Sequence, residues 1–417
     1  MNNIRKQQFG VGTIVTHPGS SKRPLHSHVM PVFQTSTFSF DTVEGAMAAF
    51  SGEDKESYVY SRGRNPNATL LAEKLAWLEG RDLMARQNTD NPGDVAAAQI
   101  YGSGMGAISA AVLARLKAGD CALVQGSIYG GTFNLWSEIC PRYGIAAHFV
   151  NSFNLDDWAH ALKLHPNVKV LYIESPANPT LDVQDIAALA DLAHAHGAWL
   201  IVDNTFATPY HQQPLSLGAD LVVHSLTKFI SGHGATTGGA VVTRHPEYMQ
   251  LFGEFWKMSI ELGATPSPLD CWITEMGLKT FEIRMQRHAE NAMRIAQVLQ
   301  AHDKIARVDY PGLADNRYHA LASRQMQNGY GGLLSFELKT GFEGSKRFMN
   351  ALQIPSIAIS LGSVDSLIQC PALMTHSNVP REQREAAGIT EGLIRLSVGI
   401  ENVEDLEADL DQALSVV

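Results

Sequence analysis

The chain has 417 residues, 45% hydrophobic and 18% charged, a length beyond one ordinary core and a composition typical of a globular protein of about two domains. Its net charge of -10 disfavours nucleic acid or an anionic membrane as the main partner, since both call for clustered positive charge, and leaves a small molecule as the expected one. No apolar run approaches the ~20 residues of a spanning helix and Met1 to Gln8 has no signal-like apolar core, so a cytoplasmic, non-membrane protein is expected; Cys121, Cys140, Cys271 and Cys370 are scattered without zinc spacing, so they read as buried thiols and no metal is expected.

Residues 1 to about 60 carry little helical periodicity. The segment includes His17-Pro-Gly-Ser-Ser-Lys-Arg-Pro24 and reads as an arm, residues 1–67, lying on another surface such as a neighbouring subunit. Its end, Tyr58-Val-Tyr-Ser-Arg-Gly-Arg-Asn-Pro-Asn67, is either a solvated basic loop or an anion site. Ala68 to Gly80 follows as an amphipathic helix with Gly80 as its stop, and Arg86 to Gly93 as a polar insertion.

From Ala96 to about Arg244, apolar strands alternate with polar turns and helices. The expected strands are Ala97 to Tyr101, Cys121 to Gln125, Ala146 to Val150, Val168 to Ile173, Trp199 to Val202, Leu221 to Val223 and Ala240 to Thr243, which make an α/β fold with a doubly wound, mostly parallel sheet over residues 68–260. Gly102-Ser-Gly-Met-Gly-Ala107 matches a dinucleotide fingerprint, yet Asp120 precedes the next strand instead of ending it. What survives is a phosphate seat at a helix N-terminus. Tyr129, between a strand and a helix, either lies over the crevice at the strand ends or packs inside a core.

Asp203 and Lys228 end two apolar runs and would meet at that crevice. Asp203 is either a partner for local backbone amides or a carboxylate holding a proton on a heteroaromatic nitrogen. Lys228 stands among Ser225, Thr227 and apolar side chains, a setting that favours a neutral amine able to bond a carbonyl cofactor. Ser225 and Thr227, two apart on an extended segment, would point the same way toward a phosphate.

Past residue 245 the pattern changes to a smaller α/β layer, residues 261–417, with a long helix over Met276 to Ala301 and strands at Gly332 to Leu338 and Leu393 to Val398. Arg395 interrupts the last of these. A buried guanidinium needs a carboxylate, and its fork suits that of an amino acid.

These motifs, with Glu174-Ser-Pro-Ala-Asn-Pro-Thr180, His224-Ser-Leu-Thr-Lys-Phe-Ile-Ser-Gly-His233, Gly277-Leu-Lys-Thr280 and Ser360-Leu-Gly362, resemble the Cys/Met metabolism (γ-family, trans-sulfuration) enzymes that depend on pyridoxal 5'-phosphate, of fold type I. The resemblance runs from about Thr13 to the C-terminus. It implies a seven-stranded large domain, with Lys228 carrying the cofactor and removing the substrate's Cα proton, and Asp203 pairing with the ring nitrogen. Ser225, Thr227, Gly104 and Met105 would hold the phosphate, with Tyr60 and Arg62 supplied by a neighbouring subunit. Tyr129 would stack on the ring and act as acid, Asn178 would contact its hydroxyl side, and Ser360 and Arg395 would bind the carboxylate of an amino-acid substrate. It further implies a homotetramer built as a dimer of dimers.

The implied reaction is γ-elimination on a sulfur amino acid, methionine or a homocysteine- or cystathionine-like one, giving a 2-oxo acid, ammonia and a thiol. The alternative is γ-replacement on O-acetyl- or O-succinylhomoserine, as in the sulfhydrylases and cystathionine γ-synthases. Apolar Ile359, where cystathionine-handling members typically carry glutamate, favours the first. Gly131, in the place of a cysteine typical of methionine-cleaving members, and Ser259-Ile260, in the place of their Lys-Asp pair, oppose it.

Overall fold

The computed structural model describes residues 9–17, 24–250, 253–377 and 379–417. Residues 1–8 and the middle of the His17 to Pro24 stretch lie outside them. Seven strands, β1 (Ala97–Tyr101), β2 (Cys121–Gln125), β3 (Ala146–Val150), β4 (Val168–Glu174), β5 (Trp199–Asp203), β6 (Leu221–Ser225) and β7 (Gly239–Thr243), form one sheet in the order β1-β7-β6-β5-β4-β2-β3. Strands β2 to β6 run parallel, and β7 is antiparallel to both β6 and β1. The unbroken apolar runs have the reason expected of them. Val170, Tyr172 and Ile201 pack on one face, Leu171, Ile173, Leu200 and Val202 on the other, and all are fully buried. Each such side chain contributes about 1.5–3 kcal/mol relative to exposure.

A second sheet is built from β8 (Ile305–Asp309), β9 (Leu333–Leu338), β10 (Ser356–Ile357), β11 (Leu367–Gln369) and β12 (Leu393–Ser397), in the order β10-β11-β12-β9-β8. Strand β12 is central and antiparallel to β9 and β11, which buries Arg395 at mid-strand.

Three expectations need correction. Among its described residues the N-terminal segment forms the α-helices α1 (Val11–Thr16) and α2 (Val43–Ser51), each too short to print a periodicity; α1 buries Val11, Ile14 and Val15 in the chain's own core, whereas α2 exposes Val43, Met47 and Phe50. The helix α3 (Pro66–Gln87) runs through Gly80 and stops at Asn88, which takes the left-handed conformation and caps it. Gly80 marks a close approach instead: a Cβ there would lie 3.0 Å from the Ala96 Cβ. Arg86 and Gln87 therefore belong to this helix and not to the polar loop. Finally, the expected long helix at Met276 is two, Pro268–Leu278 and Phe281–Ala301, and the break at Lys279-Thr280 lets Thr280 Oγ1 donate to Gly277 O at 3.1 Å and accept from Arg284 Nε at 3.1 Å.

Candidate active site

The carboxyl ends of β4, β5 and β6 converge beside the N-terminus of α4 (Gly104–Arg115). Because β4 and β5 are in register, Glu174 and Asp203 end side by side. Burial raises the pKa of both carboxyls above the ordinary range, and the charge of Asp203 pushes Glu174 further. Asp203 Oδ1 accepts the Thr205 N–H at 2.9 Å. Glu174 accepts the N–H of Tyr129 at 2.9 Å and that of Asn178 at 3.3 Å, a role the sequence did not single out.

Beyond β6 the chain turns. Lys228 N–H donates to Ser225 O at 3.3 Å, so Ser225 and Thr227 do not share one extended segment, and the expectation of matched orientation along a strand fails. The Thr227 hydroxyl instead accepts the Gly238 N–H at 3.1 Å, while Ser225 lies against the start of α4, where a Cβ on Gly104 would come within 2.9 Å of the Ser225 Cβ. The Lys228 Nζ donates to Ser360 Oγ at 3.0 Å. Burial, with the nearby Arg395 charge, lowers its pKa to about 8.

Arg284, which no pattern in the sequence marked, locks this turn. It donates to the carbonyls of Phe229 at 2.7 Å, Ile230 at 3.2 Å and Gly277 at 3.0 Å, and burial draws its pKa down to about 10. An arginine on an amphipathic helix looks like any surface charge, so only the fold shows where it points.

Arg395 is 2% exposed and was expected to pair with a carboxylate. Among the described residues none lies within ion-pair distance, and its partners are neutral. Nη1 donates to Asn178 Oδ1 at 2.9 Å, Nη2 to Ser360 O at 2.9 Å, and the amide oxygen of Gln369 accepts from Nη2 at 2.8 Å when turned toward it. Burial lowers its pKa to about 9. A desolvated guanidinium held by neutral groups is a ready seat for an anion.

Tyr129 is 41% exposed and is not a core aromatic. Its ring lies over Gly131, where a Cβ would meet Tyr129 Cε1 at 2.6 Å and Met105 Sδ at 3.3 Å. Tyr60 and Arg62 are not brought into this group. They line a separate cleft with Trp256 and Ile260. Asp120, which accepts the Lys117 N–H at 3.0 Å, sits at the opposite end of β2.

These residues fit pyridoxal phosphate on features of the chain itself. The N–H groups of Gly104 and Met105 have no hydrogen-bond partner among the described residues, and Gly104 leaves room against Ser225 that a side chain would fill. Asp203, whose ionised form burial disfavours, is complementary to a protonated ring nitrogen, and Lys228 presents a partly neutral amine.

A family model described as Cys/Met metabolism PLP-dependent enzymes matches residues 12–415. An L-methionine gamma-lyase of Fusobacterium nucleatum subsp. polymorphum is 45% identical over 99% of this chain and 100% of its own, and a cystathionine beta-lyase of Lactococcus lactis subsp. cremoris is 40% identical over 97% and 98%. A crystal structure of cystathionine gamma synthase from Xanthomonas oryzae pv. oryzae superposes with a TM-score of 0.88 at 38% identity, covering 98% of each chain.

Proposed function

This chain belongs to the Cys/Met metabolism PLP-dependent enzymes, and from that premise we propose that it is a carbon–sulfur lyase that eliminates the γ-substituent of methionine or a homocysteine- or cystathionine-like amino acid and, with one water, gives a 2-oxo acid, ammonia and a thiol. The observation that carries this reading is the pairing of Lys228 and Arg395 across Ser360: an amine of lowered pKa stands one residue from a buried guanidinium with no carboxylate partner among the described residues. An α-amino acid whose carboxylate met Arg395 would present its Cα to Lys228.

Bound pyridoxal phosphate supplies a ring that draws electrons from the substrate's Cα. The phosphate would rest on Gly104, Met105, Ser225 and Thr227, and Asp203 would hold the proton of the ring nitrogen. Tyr129 would cover the ring, with Asn178 to one side. Lys228 would hold the cofactor through its amine, and that amine would also take the substrate's Cα proton. Arg395, steadied by Asn178 and Gln369, fixes the carboxylate. The Tyr129 phenol donates to the departing sulfur. Tyr60 and Arg62, which line a separate cleft of their own chain, would reach the phosphate of a neighbouring subunit, and the assembly would be a dimer of such dimers.

Elimination is favoured by Ile359, 67% exposed beside Ser360, because an apolar residue suits a thioether tail better than a second amino-acid head group. What favours γ-replacement on O-acetyl- or O-succinylhomoserine is the absence of the cysteine and the Lys-Asp pair typical of methionine-cleaving members, whose places hold Gly131, against which the Tyr129 ring lies, and Ser259-Ile260. The two readings separate in one assay. The purified holoenzyme, given methionine, cystathionine and O-acetylhomoserine with and without sulfide, should form 2-oxobutyrate and methanethiol from methionine alone; homocysteine made only from O-acetylhomoserine and sulfide would contradict elimination.

A further inference from the structure

Tyr129 is placed by the peptide groups on either side of it. Glu174, ending β4, takes its N–H at 2.9 Å. The preceding carbonyl, that of Ile128, faces Nε2 of His376 at 3.0 Å, and His376 comes from the segment that follows β11 in the other sheet. His376 is 2% exposed, and its Nδ1 lies 3.0 Å from the Thr375 hydroxyl. Burial, with the nearby charges of Arg395 and Arg384, lowers its pKa to about 4, so the ring is neutral in ordinary buffer. A carbonyl can only accept, which puts the single ring proton on Nε2 and lets Nδ1 accept from Thr375. The next residue, Gly130, lies so close to the Thr375 carbonyl that a Cβ there would collide with it. The short turn carrying Tyr129 is therefore gripped from β4 on one side and by Thr375-His376 on the other.

We propose that His376 is a positioning residue that holds the Tyr129 phenol over the site through the Ile128 carbonyl, coupling the second sheet to the proton donor of the first. This rests on the reading of Tyr129 as that donor. The contact has a direction: Arg395, which would seat the carboxylate, lies on β12, and His376, which sets the donor, lies on the segment joining β11 to β12, so the second sheet reaches both ends of the substrate.

Four holoenzymes test this: His376→Ala, His376→Gln, Tyr129→Phe and the double variant His376→Ala/Tyr129→Phe, each first checked for a cooperative melt. Misplacing a catalytic group by about 1 Å costs up to about 100-fold, so His376→Ala should lower kcat by about 10- to 100-fold with little change in KM. The Gln amide nitrogen stands as many bonds from Cα as Nε2, so His376→Gln should recover most of that loss. On the Tyr129→Phe background the same alanine should cost almost nothing more. Amide hydrogen exchange over residues 126–134, read in both cofactor-loaded and cofactor-stripped protein, should quicken in His376→Ala and return toward normal in His376→Gln. Unchanged exchange, no rescue by glutamine, or losses that multiply in full in the double variant would each overturn the positioning role. A fully active Tyr129→Phe would instead remove Tyr129 as donor, and the proposal with it, whatever the exchange data showed.

Discussion

Lys228 and Arg395 are two cations within reach of one serine; burial disfavours the charge of both, and Arg395 lowers that of Lys228 further. The amine has its pKa lowered to about 8 by burial and by Arg395, so below that pH it is mostly protonated and lacks the lone pair needed to bond an aldehyde. Uptake of pyridoxal phosphate by cofactor-stripped protein should therefore accelerate as pH rises through about 8, followed by stopped-flow absorbance; a rate that is flat or falls over that range would count against the assigned environment. The stability sign agrees. Between about 8 and the ordinary value of 10.5 the unfolded chain binds more protons at this lysine than the folded one, so its contribution makes the cofactor-stripped protein more stable as pH rises. Arg395→Lys keeps a charge but loses the planar fork, and should reduce kcat/KM by about 1.5–3 kcal/mol, roughly 10- to 100-fold, chiefly through KM. Steady-state kinetics decides that. Both cations and Asp203 were legible in the sequence because each interrupts or ends an apolar run. Glu174, Arg284, Gln369 and His376 were not, because what defines them is a partner far along the chain, often a backbone carbonyl, and no local pattern encodes a partner.

The seven strands of the first sheet could be placed to within about two residues because a strand buried on both faces leaves an unbroken apolar run, as β4 and β5 do, whereas β8, β10 and β11 of the second sheet were not singled out. Helix ends were harder. Gly80 has the chemistry of a stop, and only its fit against Ala96 explains why the helix passes through it. The turn after β6 was misread as extended because hydroxyls two apart suit either conformation. That turn predicts its own weak point. Arg284→Met keeps most of the volume but leaves the carbonyls of Phe229, Ile230 and Gly277 without this donor. A buried unsatisfied group costs ~1–3 kcal/mol, offset in part by the relief of a desolvated charge, so a net loss of about 1–3 kcal/mol is expected in urea unfolding, together with weaker retention of pyridoxal phosphate. Unchanged stability and retention would show the turn to be held by other contacts.

At the scale of the molecule, the first sheet carries Asp203 and the turn with Lys228 and the second carries Arg395, so the proposed cofactor and carboxylate seats meet where Lys228 reaches Ser360. The proposed sharing between subunits adds Tyr60 and Arg62 from a neighbour. It predicts complementation: Arg62→Ala and Lys228→Ala homomers should each be inactive or nearly so, yet mixing the two under conditions that exchange subunits should restore activity, since a mixed dimer contains one site with both residues native. No gain on mixing would place both residues in the same chain's site. The most direct test of the whole account is chemical. Holoenzyme reduced with borohydride, digested and mapped by mass spectrometry should carry a phosphopyridoxyl group on the peptide containing Lys228, with the visible absorbance of the cofactor lost in proportion; a label on any other lysine, or none in protein that had bound the cofactor, would contradict the site built here.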